Sequence, residues 1–118
     1  MKGLIDRMHE LSIAEELLDI IEREAESAGI KKVHKINLKI GEMSGIVVDS
    51  LLFAFEVLSK NRITEGAEVV VEKTGVEFYC AKCGTRLEGD EETCEKCGSI
   101  EFIPKGGEEL QILSFEGD

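Results

Sequence analysis

The chain has 118 residues, 42% of them hydrophobic, which suits one packed domain with a small appendage. With 25 acids against 14 bases the net charge is -11. That balance argues against a phosphate-binding surface, which needs clustered Lys and Arg, and against an anionic membrane surface.

No apolar run approaches the roughly 20 residues of a membrane span. The longest, Leu51-Leu52-Phe53-Ala54-Phe55, is broken at once by Glu56. The stretch Met1 to Arg7 lacks the apolar core of a secretory signal. The cytosol is therefore the expected compartment. Thiols stay reduced there, so four Cys read as metal ligands rather than disulfides.

Taken in chain order, the first element is a helix over 12–28. Ser12 followed three residues later by Glu15 is a capping-box pattern. Ile13, Leu17, Leu18, Ile20, Ile21, Ala25 and Ala28 recur at helical spacing among charged residues, and Gly29 stands at the C-cap. A strand follows over 33–40, where Ile36, Leu38 and Ile40 alternate with Lys35, Asn37 and Lys39. His34 shares the parity of Ile36 and reads as a partly buried edge residue.

Gly41-Glu42-Met43-Ser44-Gly45 breaks that strand. A second helix is expected from about 50 to 60, with Asp49 as N-cap and Leu51, Leu52, Phe55 and Leu58 near one face. Asn61 and Gly66 bracket a turn. Residues 67–73 alternate again, spoiled only by Val70. A last strand has Leu110, Ile112 and Ser114 alternating with Gln111, Leu113 and Phe115.

The expected fold class is α+β: two helices on one face of a small, about three-stranded sheet, with a four-Cys module inserted. The division is 1–79 plus 108–118 for the α/β unit and 80–107 for the ribbon. The insertion's two connections can act as hinges, so exchange of the ribbon between copies, and hence a homodimer, is compatible with this layout.

The strongest motif is Cys80-Ala81-Lys82-Cys83-Gly84 and its repeat Cys94-Glu95-Lys96-Cys97-Gly98. Two Cys two residues apart can turn both thiolates onto one ion, and each Gly permits the left-handed turn that follows. Two such turns close a tetrahedral four-sulfur shell with no open position, a structural site rather than a catalytic one. Zinc is the expected ion, and iron also suits four thiolates. The loop between the pairs carries Glu88, Asp90, Glu91 and Glu92. That charge repels phosphates and favours a scaffold or protein-docking role.

His9 stands in Met8-His9-Glu10-Leu11-Ser12-Ile13-Ala14, ahead of the first expected helix. From composition alone it reads as an exposed residue. No Ser/His/Asp or Cys/His constellation, phosphate loop or dinucleotide fingerprint occurs, so an enzyme is not expected.

The Met-His-Glu-Leu-Ser-Ile-Ala segment, the amphipathic helix, the Gly-Glu-Met-Ser-Gly turn and the four-Cys ribbon together resemble the HypA/HybF family of hydrogenase maturation nickel-incorporation proteins. The resemblance runs from Met8 to about Phe115. It implies a nickel metallochaperone serving nickel–iron hydrogenase, and in some cases urease, with a HypB-type GTPase and the hydrogenase large subunit as partners. It implies that His9 carries Ni(II), helped by main-chain nitrogens of Met8, His9 and Glu10, and that the Glu10 side chain tunes or orients the site. It implies zinc at Cys80, Cys83, Cys94 and Cys97.

Nitrogen sets of this kind suit Ni(II), which accepts planar or tetragonal ligation. Seven residues precede Met8, so the amine available to the family is here tied into a peptide bond. The rival reading is a zinc-ribbon interaction module with no nickel role.

Overall fold

The computed structural model describes residues 2–89 and 92–118, and the side chains from residue 9 onward. The loop acids Asp90 and Glu91 and the side chain of Met8 lie outside the described residues.

Among the described residues seven elements follow one another: α1 (Lys2–Ser27), β1 (Val33–Gly41), α2 (Val48–Leu58), β2 (Glu68–Thr74), β3 (Glu77–Cys80), β4 (Phe102–Lys105) and β5 (Leu110–Gly117). One sheet has the order β2-β1-β5, with β1 parallel to β2 and antiparallel to β5. The parallel pair is joined by α2. The second sheet is the antiparallel pair β3-β4, lying between β2 and β5 in sequence.

The core follows the predicted stripes in most positions, but Ile20 and Ala28 are exposed, and Ala14 and Ala54 join it instead. Ala14, Leu17, Leu18, Ile21 and Ala25 form the buried stripe of α1, and Leu51, Ala54 and Phe55 that of α2. Both pack against Val33, Ile36, Leu38 and Ile40 of β1. Burying each such Leu, Ile or Phe contributes about 1.5–3 kcal/mol. β2 places Val69 and Val71 against this core and turns Val70 outward. The two helices therefore cover one face of the sheet.

The helix ends differ from the sequence expectation. α1 starts at Lys2, so the Ser12–Glu15 pattern lies inside it. Ser12 is exposed there, where its hydroxyl faces water and does not compete with the helix. α2 starts at Val48 behind an N-cap of Val47, and Asp49 sits in the first turn, where its charge suits the helix dipole. At the other end of α1 the Gly29 cap is present. Ile30 N–H bonds Ala25 C=O at 2.8 Å and Gly29 N–H bonds Glu26 C=O at 3.1 Å, with Gly29 at φ 74°. That pair of bonds is a Schellman closure.

Two bulges alter the strand parities. The pairing of β1 with β5 shifts between Val33 and Lys35, so Val33 turns into the core and His34 turns out to solvent. His34 Nε2 then meets Asp118 Oδ1 at 2.8 Å. A second shift, opposite Asn37 and Leu38, leaves Leu113 exposed and brings Phe115 to the same face as Ile112. Strict alternation had put Phe115 and Ile112 on opposite faces; the extra residue reverses that.

The Gly41 turn holds both connections that lead to the second sheet. Gly41 N–H bonds Glu109 C=O at 2.7 Å, Glu42 N–H bonds Thr74 C=O at 2.8 Å, and Met43 N–H bonds Gly107 C=O at 2.6 Å. A Cβ on Gly41 would stand 2.1 Å from the carbonyl carbon and oxygen of Gly107. Only glycine lets these backbones approach so closely.

Candidate metal centre

Each Cys pair sits on the same backbone turn. In the first, Gly84 N–H bonds Cys80 C=O at 3.0 Å and Cys80 N–H bonds Thr85 C=O at 2.8 Å. In the second, Gly98 N–H bonds Cys94 C=O at 2.8 Å and Cys94 N–H bonds Ser99 C=O at 2.9 Å. Gly84 and Gly98 both have φ 76°, the left-handed turn expected from the Cys-x-x-Cys-Gly repeat. β3 delivers Cys80 from its last position, and its partner β4 follows the second turn.

The turns bring four sulfurs together. Cys80 and Cys97 Sγ lie 3.5 Å apart, as do Cys83 and Cys94 Sγ. All four fall within 4.8 Å of one another. A tetrahedral shell with metal–sulfur bonds of about 2.3 Å has sulfur–sulfur edges of about 3.8 Å, which this cluster brackets. The first Cys of each pair is buried and the second exposed. The site is therefore half-open to the surface.

The thiols also show why this cluster wants a cation. Main-chain N–H groups, chiefly that of Cys83, hold the Cys80 thiol below its ordinary value. The hydroxyl and amide of Thr85 bring Cys83 down to about 6. Although the Ser99 amide favours its thiolate, Cys97 is pushed up to about 12 by the crowding of Cys80, Cys83 and Cys94. Four thiolates cannot coexist at this spacing without a positive centre. The donors fit a thiophilic divalent ion held in a closed shell.

The N-terminal candidates His9 and Glu10 are not part of the Cys cluster and differ in exposure. His9 lies on α1 with its side chain exposed. Glu10 is 1% exposed, and its Oε2 accepts the Val47 N–H at 3.3 Å. Among the described residues the four Cys are the only group of metal-ligating side chains that gathers. Two features escaped the sequence: the burial of Glu10, and the guanidinium of Arg62 set against three acids of α1. The only signal for the first was that Glu10 sits four residues before the buried Ala14, at helical spacing.

Comparison with known proteins agrees with this geometry. Residues 8–117 match the family model described as "Hydrogenase/urease nickel incorporation, metallochaperone, hypA". The hydrogenase maturation factor HypA of Caldanaerobacter subterraneus subsp. tengcongensis is 40% identical over 112 residues, covering 92% of this chain and 98% of its own. That of Syntrophus aciditrophicus is 40% identical over 114 residues, covering 94% of this chain and all (100%) of its own. Among solved structures, the solution structure of the nickel metallochaperone HypA from Helicobacter pylori superposes with a TM-score of 0.63 at 26% identity, covering 92% of this chain and 96% of that one. A second HypA solution structure gives 0.72 at 27% identity, covering 93% of this chain and 96% of that one. Together with the four-Cys centre and the two-helix, three-stranded unit, these matches place the chain in the HypA family of nickel-incorporation metallochaperones.

Proposed function

We propose that this protein takes up Ni(II) at its Met8-His9-Glu10 segment and passes it on during maturation of nickel–iron hydrogenase. The observation that carries this reading is the family match beginning at Met8, on a segment where His9 is free to solvent. An exposed imidazole can take a metal and give it up again, which a cargo site requires. Main-chain nitrogens of Met8, His9 and Glu10 complete a nitrogen set of the kind Ni(II) favours. These nitrogens lie within α1, so binding through them requires the start of that helix to open.

Cys80, Cys83, Cys94 and Cys97 hold zinc in this reading, as a structural ion. It supplies the folding energy of a ribbon spanning 80–107, which is too short and polar to build a core of its own. The α/β unit comprises 1–79 and 108–118. The chain has no catalytic role. Its partners are a HypB-type GTPase and the hydrogenase large subunit, and two copies form a homodimer. Nucleic acid and membrane are not among its partners, and it works in the cytoplasm, where its thiols stay reduced. The family description names urease beside hydrogenase, and urease is the second recipient in this reading.

The test is metal content followed by nickel titration, on the unaltered chain and on His9→Ala. One zinc per chain, with one further nickel site lost in His9→Ala, is the expected result. One zinc and no His9-dependent nickel would leave a ribbon-bearing interaction protein instead.

A further inference from the structure

Two neighbours on α1 face opposite ways. His9 is exposed, while Glu10 is buried and directs Oε2 to the Val47 N–H at 3.3 Å. Val47 is the N-cap of α2, and its own side chain makes no capping bond. The first amides of a helix have no acceptor within it, and this end carries partial positive charge. A carboxylate brought across from α1 supplies the missing cap. Among the described residues Glu10 Oε1 has no partner. A buried acceptor left unpaired is costly, and such a group in a native fold calls for an explanation.

We propose that the Glu10 carboxylate is a positioning group and not a nickel ligand: by capping α2 it pins α1 directly after His9, and so limits how far the helix opens when nickel is bound through main-chain nitrogens. This deepens the reading of His9 as the nickel residue and rests on it. Main-chain nitrogens bind a metal only after leaving the helix, and an opened helix end tends to unravel further. Glu10 is the first described residue of α1 that is buried, and Ala14 is the next. The clasp at Val47 therefore stands at the boundary between the segment that opens and the stripe that stays packed.

Three variants of the full, zinc-loaded chain separate the two roles. Glu10→Ala removes the carboxylate. Val47→Pro removes the donor and leaves the carboxylate in place. Glu10→Gln keeps a neutral acceptor at the cap. A positioning role predicts that Glu10→Ala and Val47→Pro weaken nickel binding by a similar factor of about ten, the size of one hydrogen bond to a charged group. It also predicts that Glu10→Gln retains the wild-type nickel absorption spectrum, and that the Val47 amide exchanges faster in Glu10→Ala.

A changed spectrum in Glu10→Gln, with wild-type binding in Val47→Pro, would make the Glu10 carboxylate a ligand and overturn the proposal. So would an unchanged Val47 exchange rate in Glu10→Ala. Should Val47→Pro not fold, the spectrum of Glu10→Gln decides alone. Nickel binding by the unaltered chain that ignores His9 would instead sink the nickel reading, and Val47 exchange would still decide the cap.

Discussion

Arg62, in the loop after α2, donates from Nε to Glu22 of α1 at 2.5 Å. Its other nitrogens reach Asp19 at 2.9 Å and Glu15 at 3.2 Å. Glu15, Asp19 and Glu22 stand at successive turns of one helix flank, so a single guanidinium bridges a ladder of three acids. The bonds to Glu22 hold the Arg62 charge firmly in place by raising its pKa.

Removing that cation leaves three like charges in a row. Arg62→Ala is expected to lower stability by about 1–2 kcal/mol, more than an isolated surface pair because one partner serves three. Thermal unfolding at low and high salt checks it. The difference from wild type should shrink as salt rises, because these acids are partly exposed and screened.

Removal of a metal held by the four Cys should unfold the ribbon and spare the rest. A structural ion contributes about 10–16 kcal/mol to folding such a site. After chelation, or in Cys94→Ser, amides of β3 and β4 should exchange freely. Those of β1, with its buried Ile36, Leu38 and Ile40, should stay protected. Loss of protection in β1 would show that the two units fold as one.

Glu109 gives the junction a pH dependence. The Thr74 hydroxyl donates to its Oε2 at 2.5 Å, and its own amide and that of Gly107 add to this, holding its carboxyl below the usual range. A depressed carboxyl stabilises the fold above its ordinary pKa of about 4.3, and that contribution fades as pH falls through the lower folded value. Glu109→Gln should therefore be less stable than wild type at neutral pH. The gap should close in acid, as read by melting temperature across a pH series.

Gly41→Ala tests the contact between the turn and the ribbon's return path. Its Cβ would meet the Gly107 carbonyl at 2.1 Å, inside any tolerable distance. The expected cost is ~3 kcal/mol, since the atoms in the way are backbone and not a flexible side chain. Chemical denaturation measures it, and a cost near zero would mean that the two segments separate easily.

Trimming residues 1–7 should raise nickel affinity about tenfold or more, equivalent to at least ~1.4 kcal/mol, by giving Met8 a free amine. The shortened α1 has a ready start in Ser12 and Glu15, the capping pair that the longer helix leaves unused. Equal affinities by calorimetry for the long and short forms would count against the amine as a ligand.

Much of this molecule was legible in its sequence. The alternation of Ile36, Leu38 and Ile40 gave β1, and the repeated Cys-x-x-Cys-Gly gave both turns of the metal centre, down to the positive φ at Gly84 and Gly98. The start of α1 was not legible, because a capping box marks where a helix can begin, and an exposed Ser is also tolerated within one. The outward turn of His34 was hidden because bulges depend on the partner strand, and β5 lies far along the chain. The burial of Glu10 was hidden for a similar reason: its partner is an amide 37 residues away. The four-Cys site needed only local spacing, while the placement of Glu10 needed the tertiary fold.

The insertion point of the ribbon has a mechanical consequence. β2 ends at Thr74 opposite Gly41, and β5 begins at Leu110 opposite Ile40. The chain thus leaves from one edge of the sheet and returns to the other, astride the same end of β1. Its two feet are fixed about two strand spacings, or roughly 10 Å, apart. A body on a single tether swivels, but one on two spaced feet resists torsion and transmits it to its base. Held in this way like a yoke, the ribbon has both its feet at the end of β1, beside the turn that leads to Val47 and its partner Glu10.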